Sequence, residues 1–128
     1  MAARKPRPRG TWKSRIKKAM VQVGTWNASF DDAADTLADI LERRDVALQE
    51  FLDEGGKATF EHISDRGAVN IKKNPRLQVW QDLNAQALAY WRDLGLTPAG
   101  LKKLNEEALK AEKAGSALEE ALKGLGGA

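Results

Sequence analysis

The sequence predicts a mainly α-helical fold, in which two long antiparallel helices are joined by a loop with a small β-hairpin and flanked by shorter N- and C-terminal helices. Two long stretches repeat apolar residues at helical spacing, and helix start and stop signals enclose both. Between them, two short runs of β-forming residues surround a glycine-containing turn. A chain of 128 residues allows one domain with a thin core, which favours self-association.

The N-terminal region, residues 1–23, reads as a basic arm followed by a short helix. Prolines and a glycine lie among four bases in the first ten residues, so we expect this stretch to be disordered alone. Thr11 is the expected cap of the helix and Gly24 its end. One apolar face is predicted for it, formed by Trp12, Ile16 and Met20.

The first long helix is predicted to begin at Ser29, which forms an approximate capping box with Asp32, and to end near Asp53 before Gly55-Gly56. Its near-heptad stripe comprises Phe30, Ala34, Leu37, Leu41, Leu48 and Phe51. Arg44 interrupts that stripe. Either its stem packs while its guanidinium reaches solvent, or it forms a register-setting ion pair with a neighbouring subunit.

The connection between the long helices is predicted to hold a hairpin near residues 57–72, with its turn at Asp65-Arg66-Gly67. An isolated hairpin is marginal in water, so it should pack on the helices or pair with a neighbour's edge.

The second long helix has both ends marked, by Asn74 and Pro75 at its start and Gly95 after its last turn. Trp80 and Trp91, about three turns apart, lie on one stripe. The apolar face is wider than one partner helix covers, which predicts subunit contacts across it.

A third helix is predicted from Pro98, after Thr97, to about Glu112. Gly115-Ser116 is expected to break it, and a short amphipathic segment then follows. We therefore divide the chain into the basic region 1–23, a helical oligomerisation core over 24–114 and a C-terminal docking segment over 115–128.

Charge is strongly separated along the chain. Residues 1–30 hold eight Lys or Arg and no acid, and residues 31–65 hold eleven acids and three bases. The remainder brings the whole chain to a net +3. A cationic N-terminus beside an acidic body favours a polyanionic partner for the N-terminus.

The sequence predicts no enzyme, cofactor or metal site. It has no cysteine and a single histidine, His62, which is expected on a strand surface. Four aspartates, Asp31, Asp32, Asp35 and Asp39, resemble a carboxylate cluster, but acids are common in the first turns of a helix. Gly55-Gly56 lacks the Lys-Ser/Thr of a phosphate loop. No apolar run reaches the ~18 residues of a membrane span.

Several sequence segments together resemble the small terminase subunits of tailed bacteriophages. They are Gly24-Thr-Trp-Asn-Ala-Ser-Phe30, Leu37-Ala-Asp-Ile-Leu-Glu-Arg-Arg-Asp45, Gly55-Gly56, Lys72-Lys73 and Leu94-Gly-Leu-Thr-Pro98. The resemblance implies a ring-shaped homo-oligomer in the bacterial cytoplasm. Such a ring recognises double-stranded phage DNA and presents it to the large subunit, an ATPase and nuclease, to start packaging.

Three sets of residues follow as candidate sites. The expected DNA contacts are Arg4, Lys5, Arg7, Arg9, Lys13, Arg15, Lys17 and Lys18, with Lys72 and Lys73 as weaker candidates. The expected oligomer interface comprises Leu37, Leu41, Arg44, Trp80 and Trp91. The expected contacts with the large subunit are Leu118, Leu122 and Leu125.

The main alternative is a small dimeric helix-turn-helix regulator, which would need two short helices around a tight turn. A head-completion protein that binds only protein is a third possibility, against which the basic N-terminus argues.

Overall fold

The computed structural model describes residues 5–126, and in that range it contains four helices and one two-stranded antiparallel sheet. A 3₁₀ turn, Ala28–Phe30, precedes the second helix. The elements are α1 (Arg9–Val23), α2 (Asp31–Asp53), β1 (Thr59–Ile63), β2 (Val69–Lys73), α3 (Pro75–Asp93) and α4 (Pro98–Gly126). The predicted mainly helical fold with a small hairpin is confirmed.

The core lies where α1 and α3 pack on α2. Polar contacts at the edges show that α2 and α3 run antiparallel, as predicted: Arg44 in mid-α2 bonds to Asn84 at 3.3 Å, while Glu50, later in α2, pairs with Arg76, earlier in α3, at 2.6 Å. Arg76 also pairs with Glu54 at 2.7 Å. The largest fully buried side chains of the core are Ile16, Met20, Leu37 and Leu41.

α1 differs from the prediction in the residue at which it begins and in how much of the N-terminal region is ordered. It begins at Arg9, with Pro8 rather than Thr11 at the N-cap position. Trp12, Ile16 and Met20 are all buried, so the predicted face exists but packs on the chain itself. The expectation that the first ten residues are disordered is therefore wrong for Arg9 and Gly10, which belong to α1, because burial of three large side chains offsets the entropy of ordering the helix.

α2 begins after a cap made by Asn27, not by Ser29. The Asn27 side-chain oxygen accepts from the Ser29 backbone N–H at 2.9 Å and from its hydroxyl at 2.8 Å. The 3₁₀ turn inserted at this point moves the capping function back along the chain. The predicted end is confirmed, since α2 stops at Asp53 and Gly55 and Gly56 both have positive φ.

The hairpin pairs Thr59 with Lys73 and Ile63 with Val69, close to the predicted ranges. The predicted start of α3 is also confirmed, because the Asn74 side chain accepts from the Arg76 backbone N–H at 3.0 Å. At its other end Gly95 has φ 74°, and the Leu96 N–H donates to the Trp91 carbonyl at 2.8 Å.

α4 corrects the prediction for the C-terminal region. Thr97 caps it as expected, accepting from the Gly100 N–H at 3.1 Å, but the helix continues for 29 residues through Gly115-Ser116. The predicted break and the separate short C-terminal helix are wrong. One glycine costs only ~1 kcal/mol, and the surrounding Ala, Leu, Glu and Lys favour helix. From Asn105 to Leu125 every residue is exposed.

Candidate nucleic-acid interface

The candidate DNA-contacting cations lie on several sides of α1 rather than along one stripe. Ile16 and Met20 define its buried face, Lys13 and Lys17 lie on one flank, and Arg15 lies on the other. Of the candidates on α1, four are exposed: Arg9, Arg15, Lys17 and Lys18. Arg4, also a candidate, lies outside the described residues.

Lys13 is the α1 cation most engaged with the body of the protein. Its ammonium lies 3.0 Å from a carboxylate oxygen of Asp31 and 3.7 Å from one of Asp35. The hydrogen bond that Lys13 donates to Asp31, together with the attraction of both carboxylates, raises the pKa of Lys13 against the opposing effect of desolvation. The ion pairs with Lys13 give Asp31 and Asp35, at the start of α2, a structural role. Asp39 pairs with Arg43 at 3.1 Å.

Three guanidinium groups surround the buried indole of Trp12. Arg7 lies 5.1 Å from the ring centroid, and Arg15 and Arg44 lie 5.6 Å from it. These distances are within the range of cation–π attraction. The indole N–H donates to Asp45 at 2.9 Å. We call this group of three arginines around Trp12 the arginine cluster.

A cavity of about 230 Å³ adjoins the arginine cluster. Asp45 lies in its wall and accepts three hydrogen bonds, from the Trp12 indole at 2.9 Å, from the Arg7 backbone N–H at 3.4 Å and from Arg44 at 3.3 Å. The lining residues are Lys5, Arg7, Trp12, Arg44, Asp45 and Leu48. The lining therefore carries three cations and one anion.

Arg44 is the member of the arginine cluster that sequence reasoning did not place near the N-terminus. Its side chain is 21% exposed and contacts Asp45, Asn84 and Trp12 of its own chain. Only the interruption of the α2 stripe marked this position as unusual. Its proximity to Trp12 depends on the packing of α1 on α2, which no local pattern encodes.

The remaining cations lie elsewhere. Lys17 lies 4.9 Å from the ring of Trp26. Lys72 and Lys73 are exposed on β2, with Lys73 bonded to the side chain of Gln81 on α3. Neither lysine is among the residues that line the cavity beside the arginine cluster.

The residues expected at the oligomer interface are placed at different depths. Leu37 and Leu41 are fully buried inside the chain's own core. Trp91 is half-buried and packs against that core, and Trp80 is half-buried towards the other end of α3. Beside them a groove of about 520 Å³ runs between α2 and α3, with Val46, Ala47, Val79 and Leu83 among its lining residues.

The three leucines expected to contact the large subunit lie on the exposed part of α4. Leu118, Leu122 and Leu125 are 61%, 58% and 79% exposed. These three large apolar side chains follow one another at helical spacing on a segment that does not pack against the rest of the described chain.

Comparison with known proteins gives a family match. A sequence model described as phage terminase, small subunit, matches residues 9–111 of the 128, from the start of α1 into α4. The resemblance read from the sequence is thereby confirmed. No curated protein and no solved structure matches the chain.

Proposed function

Because this chain belongs to the phage terminase small-subunit family, we propose that it binds viral double-stranded DNA as an oligomeric ring and presents it to the large terminase subunit to start genome packaging. Members of the family are typically non-catalytic DNA-binding subunits, with the ATPase and nuclease in the large subunit. A non-catalytic role agrees with this sequence, which suggests no set of catalytic residues.

The observation that carries the DNA-binding proposal is the concentration of positive charge on α1 and the residues before it. Eight cations and no acid precede Asp31, and the exposed ones on α1 stand on a helix fixed to the body by three buried side chains. A rigid helix holds cations at defined positions, which lowers the entropy lost when they bind phosphates. The affinity itself comes from counterion release and is independent of base sequence.

The ring proposal rests on apolar surface that one chain leaves open. The groove between α2 and α3 exposes Val46 and Val79. On one face of the hairpin, Ile63, Val69 and Ile71 are also exposed. Repeated contacts between the groove of one copy and a different surface of the next would close into a ring if the rotation between copies allows it.

The docking proposal assigns α4 to the large subunit. Apolar or small residues recur along it at alternating intervals of three and four, the spacing of a coiled-coil seam. The members of this α4 seam are Leu101, Leu104, Ala108, Ala111, Gly115, Leu118, Leu122 and Leu125. Glu107, Glu112 and Glu119 flank the seam, so a partner helix with basic flanks would complement it better than a second copy of α4.

We place this function in the host cytoplasm, where phage packaging proteins act. Within residues 5–126, the structure has no helix both long and apolar enough to cross a bilayer.

The experiment that tests DNA binding is a titration of duplex DNA at several salt concentrations. If about five cations of one N-terminal region neutralise phosphates, the plot of log affinity against log salt has a slope near −4.5, a loss of about several hundred-fold between ~50 and ~200 mM. A slope near zero would contradict the proposal. Light scattering on the same sample gives the mass, and a monomeric or dimeric mass would contradict the ring.

A further inference from the structure

The hairpin is well formed, yet the described chain covers neither of its faces. Every residue of β1 and β2 is exposed. Its turn is nonetheless fixed, because the Gly67 N–H donates to the Ser64 carbonyl at 2.8 Å and the Ser64 N–H donates to the Ala68 carbonyl at 2.9 Å. The Ala68 N–H also donates to the Ser64 hydroxyl at 3.1 Å. A two-stranded hairpin is marginally stable in water, so we expect it to gain stability from a contact outside its own chain.

One face of the hairpin is apolar towards its tip. The register pairs Ile63 with Val69 and Glu61 with Ile71, so these four side chains lie on the same face. Ile63, Val69 and Ile71 are each more than half exposed. Arg66 lies in the turn beyond them and is also exposed. The tip therefore presents three aliphatic side chains and a cation in a fixed arrangement.

The groove between α2 and α3 has a shape and lining that suit such a tip. Its volume is about 520 Å³, and Val46 from α2 and Val79 from α3 are exposed on its two sides. Ala47 and Leu83, which also line it, are less exposed than the two valines. Aliphatic side chains that enter this groove would remove apolar surface from water on both partners.

The hairpin and the groove also carry opposite charge. The groove lining holds three acids and one base, a net charge of −2: Glu42, Glu50, Asp82 and Arg43. Ion pairs within the chain engage Glu50 and Arg43, so the net charge resides on Glu42 and Asp82. Residues 57–73, which contain the hairpin, hold four Lys or Arg and two acids, a net charge of +2. Complementary charge of this kind favours the encounter of the two surfaces and fixes their orientation.

Other segments of the chain fit the groove less well. The α4 seam is apolar, but the glutamates on its flanks would bring like charge to an acidic groove. The hairpin of the same chain does not reach the groove, since none of its residues lines it. The occupant that matches in both apolar character and charge is the hairpin of another copy.

We propose that the hairpin tip of one copy inserts into the groove between α2 and α3 of the next copy. The apolar face of the tip then packs against Val46 and Val79, and Arg66 lies opposite Asp82. This inference rests on the proposed ring and names the two surfaces that meet in it. Because the surfaces differ, each copy donates one hairpin and accepts one, and the contact can repeat until the assembly closes.

The test combines two variants of the full-length protein, one in each surface. Ile63→Asp places a carboxylate on the apolar face of the tip, and Val79→Asp places one in the groove. Each variant alone should have the mass of a single copy in light scattering, with the circular dichroism of the wild type. Mixed in equal amounts, they should form a pair with one copy of each, because one variant keeps its hairpin intact and the other keeps its groove. His62→Asp, on the opposite face of β1, should keep the wild-type mass.

Charge reversal tests the polar contact of the same interface. Asp82 is exposed and accepts a hydrogen bond from the neutral amide of Gln78 at 2.7 Å, so reversing its charge breaks no ion pair among the described residues. Arg66→Glu and Asp82→Lys should each lower the mass. The double variant should recover it, because opposite charges face each other again. A double variant as small as the single ones would overturn the contact between Arg66 and Asp82.

The outcomes separate this inference from the proposed ring. If the wild type assembles and Ile63→Asp keeps its mass, the hairpin assignment is wrong while the ring stands. If both variants dissociate and their mixture forms no pair, each surface contacts its own kind and the insertion is overturned. If Ile63→Asp keeps its mass and binds duplex DNA more weakly, the hairpin contacts DNA instead. A wild type with the mass of one copy overturns both the ring and the insertion.

Discussion

Gly100 determines how closely α4 can begin on α3. It is buried in the first turn of α4, and an added Cβ would overlap the backbone carbonyl of Arg92. A backbone group cannot rotate away as a side chain can, so any larger residue forces the two helices apart. Gly115 lies in the same helix with open space around the corresponding position.

These two glycines provide a matched prediction. Gly100→Ala should destabilise the fold by about 1–3 kcal/mol, the usual cost of overpacking, and lower the melting temperature. Gly115→Ala should instead increase helicity in circular dichroism, because alanine is ~1 kcal/mol better than glycine in a helix. A loss of helicity in Gly115→Ala would show that the helix breaks there.

The residues that cap helices show where prediction from the local sequence succeeds. Asn74 and Thr97 cap the helices that follow them, as predicted, because each stands directly before a proline that fixes the first helical turn. Ser29 does not cap α2, since it lies inside the 3₁₀ turn that Asn27 caps by accepting from the Ser29 N–H. The arginine cluster could not be predicted, because Trp12 and Arg44 meet only after α1 packs on α2.

Among the elements, α4 departs most from what the sequence predicted. The expected break treated a glycine and a serine as a boundary, yet intrinsic propensity over the whole segment outweighs one unfavourable residue. Continuity changes the interpretation of its leucines. They extend a seam that starts against α3, where Leu101 and Leu104 are half-buried, and ends at Leu125, which is exposed.

If the large subunit docks on the α4 seam, substitutions on the seam side of α4 should weaken its binding and substitutions on the other side should not. Replacing Leu118 and Leu122 by Asp should abolish binding of the large subunit, because it places charge in the centre of the apolar contact. The matched control replaces Ser116 and Lys123 by Asp on the other side of the same helix. Binding is measured by co-purification with the large subunit, with the oligomeric mass and DNA affinity expected to stay constant.

Equal binding by the two α4 variants would locate the docking site outside the seam. A lower mass in the Leu118 and Leu122 variant alone would instead assign the seam to contacts between copies.

At the scale of the whole molecule, residues that line the exposed groove between α2 and α3 are better probes of assembly than the core residues are. Trp91 packs against the chain's own core, so Trp91→Asp would unfold the monomer as well as disturb an interface. Val79 lines the groove and is 51% exposed, which makes it the better probe. Val21 on α1, 57% exposed, offers the same substitution away from the groove.

Assembly and DNA binding should therefore change together in one variant. Val79→Asp should lower the mass in light scattering to that of smaller species while its circular dichroism stays that of the wild type. Every α1 cation is retained, yet the variant should bind duplex DNA more weakly and with a shallower salt slope, because linked copies act on one duplex with a high effective concentration. Val21→Asp should keep the wild-type mass and slope. If Val79→Asp separates the copies and the slope is unchanged, a single N-terminal region suffices for DNA binding, and the ring serves another step of packaging.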